Sequence, residues 1–253
     1  MATISRRAWN AYITRLRQLS DKAADAVREY IETHDMNEEG ALYALIDYAY
    51  ALATKYGEGS ASLACEMYEA LAEVSGVFVP SAVPAATATK GTVAKAVNGT
   101  IMQNPEVTAG AISRLVKLAG VDTMQQNALR DGAEWAWIPS GDTCAFCITL
   151  ASRGWQRASK KALKNGHAEH VHANCDCTYA IRFSPDVNVQ GYDPDEYLDM
   201  YQDADGSTPK AKINYMRREI YAENADEINA QKRSAYEKQK ERESSEAEEM
   251  NVS

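Results

Sequence analysis

From Trp9 onward, Trp9, Tyr12, Leu16, Leu19, Ala23, Ala26 and Tyr30 follow one another in alternating steps of three and four, the spacing that keeps side chains on one face of a helix. The pattern predicts one long amphipathic helix with a near-heptad stripe. It breaks over Thr33 to Gly40, where Asn37, followed by Glu38 and Glu39, is the candidate N-cap of a second helix. That helix carries Leu42, Leu45, Ile46, Ala49, Leu52 and Tyr56 and is expected to end at Gly57 and Gly59. A third, with Ala64, Met67, Tyr68, Leu71 and Val74, is expected to close at Gly76. Three helices joined by short turns predict an antiparallel bundle.

Between Gly76 and Thr92 the chain turns to Ala, Val, Thr, Ser and Pro, with Pro80 and Pro84 excluding a helix, and reads as a linker or a docked extended arm. Helical periodicity resumes from about Pro105 through Ile112, Leu115, Val116 and Leu118 to Gly120, and again from Asp122 to about Gly132. Glu134 to Ile138 alternates as a strand, stopped by the turn residues Pro139, Ser140 and Gly141, and Cys177 to Phe183 forms a second candidate strand. Pro185 to Pro209 holds seven acidic residues and no Lys or Arg, and Ile213 to about Glu249 reads as a charge-laced helix fraying into an acidic tail.

The expected fold class is therefore mainly α with a small α+β zinc-stapled module. Its expected parts are an N-terminal helical bundle over 1–76, a Pro/Ala-rich linker over 77–91 and a helical segment over 92–133. A Cys/His module over 134–184 and an acidic segment with a long charged C-terminal helix and tail over 185–253 complete it.

The composition, 45% hydrophobic and 25% charged, is that of a folded globular chain and excludes wholesale disorder. A net charge of −9 and a pI near 5.1 disfavour a uniform electrostatic grip on nucleic acid, so any DNA contact needs a local basic patch. No run approaches the roughly 18 consecutive apolar residues of a membrane span, and Met1 to Arg7 lacks the apolar core of a signal peptide. The expected compartment is cytosolic, with no membrane partner.

Of five cysteines, Cys65 stands alone while Cys144 and Cys147 form a C-x2-C and Cys175 and Cys177 a C-x-C. In a reducing compartment such spacing favours a metal over disulfides. With His172 just ahead of the second pair, the candidate ligands are Cys144, Cys147, His172, Cys175 and Cys177. Soft sulfur donors in two tight groups suit one tetrahedral zinc per chain, either with three cysteines and His172 or with four cysteines and His172 behind them. Four protein ligands leave no open position, which makes the expected ion structural and the expected protein not an enzyme. Buried core cysteines and a redox dithiol are the bland alternatives.

His167, Glu169 and His170 suggest a zinc deaminase or hydrolase, but the H-x-E element follows the C-x2-C instead of preceding it and no proline stands directly before Cys144. Asp203 to Gly206 resembles the start of a calcium loop with its glycine two positions early and Asn214 in place of the acidic twelfth ligand. Trp135 and Trp137, one residue apart on a strand, share a face; core packing is the expected reading and a base-stacking platform the alternative.

The string from Trp137 to Cys147, followed by His172-Ala173-Asn174-Cys175-Asp176-Cys177, resembles the Mu F-like minor head proteins of tailed bacteriophages, in which a tryptophan-bearing strand leads to C-x-x-C, a helical insert, H-x-x-C-x-C and a strand. Ala145 and Ala173 stand where that family has prolines. The segment from Tyr56 to Gly76 is also similar to helical leaders of minor capsid proteins of actinobacterial phages. The resemblance implies a low-copy structural protein of head morphogenesis, located in the capsid interior or at the portal vertex of the virion and in the host cytoplasm during assembly. Its implied partners are the portal and head proteins, with packaged DNA a further candidate. The alternative from the residues alone is a zinc-stapled nucleic-acid-binding module using Trp135, Trp137 and the bases Arg153, Arg157, Lys160, Lys161 and Lys164.

Overall fold

A computed structural model describes residues 3–140, 143–159 and 177–226, together with 229–230, 233–234, 236–237 and 240. It is mainly helical with a small sheet. In chain order the described elements are β1 (Thr3–Ile4), α1 (Arg6–Thr33), α2 (Ala41–Val74), α3 (Lys90–Thr100), α4 (Pro105–Asp131), β2 (Glu134–Ile138), α5 (Ala145–Ala151), β3 (Gln156–Arg157), β4 (Thr178–Arg182), β5 (Asn188–Val189), α6 (Pro194–Asp203) and α7 (Pro209–Glu223).

The helix ends follow local chemistry. The Ser5 hydroxyl accepts from Ala8 N at 3.2 Å to start α1. Asn104 Oδ1 accepts from Val107 N at 2.8 Å, with Pro105 in the first turn of α4, and Gly132 at φ +67° ends that helix in the left-handed conformation. Asn37 is not the cap of α2. It lies in the preceding turn, where its backbone and side-chain nitrogens donate to Asp35 Oδ1, and Gly40 at φ +88° occupies the N-cap.

The largest departure from the periodicity is α2, which runs unbroken through Gly57 and Gly59. Neither glycine terminates the helix, because each serves a close approach. A Cβ on Gly57 would stand 3.0 Å from the Thr87 methyl, and one on Gly59 would stand 3.2 Å from Leu19 Cδ1. The same holds for Gly120, expected to separate two helices but embedded in the continuous α4; a Cβ there would meet Ser60 Oγ at 2.7 Å and Ser60 O at 3.2 Å. Residues 1–76 therefore supply two long helices, and the third member of the bundle is α4.

Contacts along the bundle set the directions. Arg15 pairs with Glu66 while Leu19 meets Gly59, so α1 and α2 are antiparallel. Arg28 pairs with Glu106 while Leu16 lies near Gly120, so α1 and α4 are antiparallel. Ser60 meets Gly120 and Tyr68 donates to Asp131, so α2 and α4 run parallel. Parallel neighbours need a return crossing, which the chain makes between Val74 and Lys90.

That crossing is the docked form of the expected linker. Asn127 Oδ1 accepts from Val83 N at 2.9 Å, and Thr123 Oγ1 accepts from Ala85 N at 2.9 Å. Asn127 Nδ2 and Gln126 Nε2 donate to Val83 O at 2.8 and 2.6 Å. The Arg130 guanidinium donates to Pro80 O and Ser81 O at 3.0 and 3.1 Å, and Glu69 accepts from Ala82 N at 2.9 Å. A chain without ladder partners thus finds side-chain partners, each worth about 1 kcal/mol net.

Two apolar cores flank the narrow crossing of α2 and α4. One combines Ala23, Val27, Leu45 and Ala49 with Val93, Val97, Ile112 and Val116. The other joins Trp9, Tyr12, Tyr68 and Met124 to the sheet residues Trp135, Trp137, Tyr179 and Ile181.

Gly120→Val is expected to cost about 1–3 kcal/mol through overpacking against Ser60. Gly99→Ala, in α3 with open space around its would-be Cβ, is expected to add about 0.4–1 kcal/mol. Chemical denaturation midpoints moving in the same direction for both would overturn the close-approach reading.

Candidate metal centre

The two strands expected from the sequence pair antiparallel, from Glu134 opposite Arg182 to Ile138 opposite Thr178, with β3 on the other side of β2. Register decides the site. The final pair is Ile138 and Thr178, so the turn leading out of β2 to Cys144 and the residue leading into β4, Cys177, lie at the same end of the sheet. The C-x2-C does not sit in a turn alone; Cys144 is the N-cap of α5 and Cys147 lies in its first turn.

Cys147 and Cys177 are buried, at 1% and 5% exposure, within the sheet-side core, and the half-buried Cys144 packs against its edge. The Ser140 backbone N–H donates to Cys177 Sγ at 3.4 Å, and the thiol reaches Ser140 O at 4.0 Å. A sulfur that accepts a backbone N–H is already solvated as a metal-bound thiolate would need to be. Three thiols are the right chemistry for a soft ion, but Cys144, Cys147 and Cys177 are not by themselves grouped to hold one. His172 and Cys175 lie outside the described residues, and among the described residues no three His, Cys, Asp or Glu side chains are grouped to hold a metal.

Around the cysteines the sheet is lined with aromatics. Trp135 and Trp137 each pack edge-on against Tyr179, both at 4.7 Å between ring centroids. At 4% and 1% exposure they are core residues. The base-stacking alternative fails for these two, because no ring face is open to a nucleotide. Burial raises the Tyr179 hydroxyl above its ordinary range, with the charge of Asp122 among the smaller contributions. Burial also pushes the Asp122 carboxyl up.

At the other end of the sheet, Arg182 donates to Glu134 Oε2 at 2.6 Å and lies over the Trp155 ring at 4.6 Å. The segment after Phe183 returns to the N-terminus, where Thr3–Ile4 pairs parallel with Asn188–Val189. Tyr192 donates to Ala151 O at 2.8 Å, fastening the C-terminal end of α5. Through Ala145, Ile148, Ala204 and Met216, α5 packs against α6 and α7. The element carrying Cys144 and Cys147 is thus gripped from the sheet and from both C-terminal helices.

Asp203 to Gly206, the calcium-loop look-alike, is a connector between α6 and α7. The Lys212 ammonium donates there to Tyr201 O, Gln202 O and Ala204 O at 3.0, 2.8 and 2.6 Å. A cation is already supplied by the chain, at the carbonyl end of α6 where a helix favours it. α7 begins at Pro209, four residues ahead of the expected Ile213. Arg153 and Arg157 are described residues; Lys160, Lys161, Lys164, His167, Glu169 and His170 are not.

Sequence reasoning overlooked the polar ladder of α4. Its signal was present, since Thr123, Asn127 and Arg130 recur at helical spacing.

The family model described as VG15 protein matches residues 3–204, from β1 to the end of α6. The chain belongs to the VG15 protein family. This is a phage protein family, which places the chain among viral proteins. The match spans the bundle, the docked arm and the cysteine-bearing sheet, and stops ahead of α7. Comparison with curated proteins and with solved structures finds no match. Among the described residues no helix is long and apolar enough to cross a membrane.

Asp122 provides a test of the sheet-side packing. A carboxyl whose folded pKa lies above the unfolded value of about 3.9 binds its proton more tightly when folded, so its contribution declines as pH rises through the folded pKa. Asp122→Asn is expected to raise the melting temperature at pH near 7. The gain should vanish below about pH 4, where Asp122 is protonated in both states. Parallel melting curves across that range would contradict the assignment.

Proposed function

We propose that this VG15 family member is a structural minor capsid component acting in head morphogenesis at the portal vertex, with a zinc ion stapling the module that bears Cys144, Cys147 and Cys177. The observation that supports the reading is the register of β2 and β4, which puts the exit of β2 towards the C-x2-C and Cys177, the lead-in to β4, at one end of the sheet. The phage family supports the viral setting, and the resemblance to Mu F-like proteins supports the finer placement.

Cys144 at the N-cap of α5, Cys147 in its first turn, Cys177 directly ahead of β4 and one or both of His172 and Cys175 would hold the ion. Zinc would supply cross-linking energy between elements that are far apart in sequence, which in small modules is folding energy. The chain's own residues bury and orient the donors: Ser140 N–H at Cys177, the Trp137 and Tyr179 rings around the sheet, and α6 and α7 behind α5. A closed centre of this kind supports a scaffold role without turnover.

Elemental analysis of purified protein is expected to give one zinc per chain, and Cys144→Ser is expected to lose the zinc and lower the melting temperature. Unchanged zinc and melting temperature in that variant would remove the metal from the proposal. Mass spectrometry of purified virions is expected to find the protein at low copy; its absence from virions would remove the capsid role.

A further inference from the structure

Residues on α7 separate by charge around the helix axis. Ile213, Met216 and Ile220 turn inward onto α5 and α6. At about 100° per residue, Lys210, Asn214, Arg217, Arg218 and Tyr221 fall within an arc of roughly 100° on the outward side, and all five are exposed. Glu219 and Glu223 fall on the far side of the axis. Lys212 is spent on the carbonyls ending α6 and takes no part.

Elsewhere Arg15, Arg28, Lys90, Arg130 and Arg182 face carboxylates in ion pairs. Among the described residues Lys210, Arg217 and Arg218 make no such pair. At the foot of the stripe is a concavity of about 650 Å³ bounded by Gly206, Ala211, Asn214, Arg217 and Arg218, with Asp205 its one acidic group. In a chain of net charge −9, this is a face where three cations and an amide stand together beside Asp205, while the Tyr221 hydroxyl donates to Asn229 Oδ1 at 3.2 Å.

We propose that the outward face of α7 binds the phosphate backbone of duplex DNA, without reading its sequence. Guanidinium forks match phosphate oxygens bidentately, and the Asn214 amide can donate to the same acceptors. From Lys210 to Tyr221 the stripe covers eleven residue-to-residue steps, about 16 Å at 1.5 Å per step, long enough to follow successive phosphates. It lies outside the family-matched segment and does not depend on the zinc centre.

The test is fluorescence anisotropy of the full-length protein with a labelled duplex of about 30 base pairs. Three neutralised phosphates give a slope of log K against log salt of about −2.7, or about 40-fold weaker binding at 200 mM than at 50 mM salt. A triple variant, Lys210→Ala, Arg217→Ala and Arg218→Ala, should bind at least about tenfold more weakly at 50 mM salt, with unchanged circular dichroism and melting temperature. Arg218→Ala alone should flatten the slope by about 0.9. The control triple Lys22→Ala, Lys55→Ala and Lys95→Ala alters net charge equally at exposed sites and should bind within about twofold of the unaltered chain.

Equal loss in both triple variants, salt-insensitive binding or no binding at 50 mM salt would overturn the proposal. So would displacement of the DNA by an equimolar peptide of residues 241–253, whose five glutamates would make the chain's own tail the occupant.

Discussion

The near-contact of α2 and α4 at Ser60 and Gly120 sets the spacing on which the other elements rest. A Cβ at Gly120 would stand 2.7 Å from Ser60 Oγ and 3.2 Å from Ser60 O, so a side chain there must displace the hydroxyl and press on the backbone of α2. Because the two helices are this close, Thr87 of the arm reaches Gly57 and Leu19 of α1 reaches Gly59. The narrow waist also divides the apolar interior. Leu19 and Leu118 are the partly buried residues that touch both cores across it. One core stays wholly helical, and the other opens out to accept the sheet.

The arm and the sheet are joined through one polar group of residues. Asp131 accepts from Tyr68 on α2 at 2.8 Å and from two nitrogens of Arg130, both at 2.7 Å, while Arg130 reaches the arm carbonyls. Arg130's hydrogen bond holds the Asp131 carboxyl below the usual carboxylate range, which favours its charged form. Directly after Gly132 the chain becomes β2. The junction between bundle and sheet is therefore stiff, and the cysteine-bearing end is placed relative to α2 and α4 by the same residues that hold the arm.

Much of this was legible in the sequence, for reasons that differ by element. β2 falls on Glu134–Ile138 because Pro139 cannot continue a ladder and Gly132 ends the preceding helix, both local effects. The apolar stripe of α1 was equally plain. Gly57, Gly59 and Gly120 misled because a glycine that breaks a helix and a glycine that admits a neighbour have the same sequence signature; the distinction lies in Thr87, Leu19 and Ser60, which are remote in the chain. The spacing of the cysteine pairs suggested a site, and the register added that the exit of β2 towards Cys144 and the lead-in residue Cys177 lie at one end of the sheet. Core packing of both tryptophans was the expected reading and holds, but Tyr179 as the ring against them was beyond the sequence, since alternation indicates a shared face and not what covers it.

The parallel pairing of Thr3–Ile4 with Asn188–Val189 imposes an order on assembly. Hairpins and helix pairs close as the ribosome delivers them, but this ladder joins residues about 185 positions apart, and closure over so long a loop comes late. Until β5 has been synthesised the start of α1 has no strand partner, and Gln190 is not there to accept from Arg6 N. Thr3 and Ile4 are therefore among the last residues to find their place, and their ladder belongs to the closing step of folding, after the formation of the bundle.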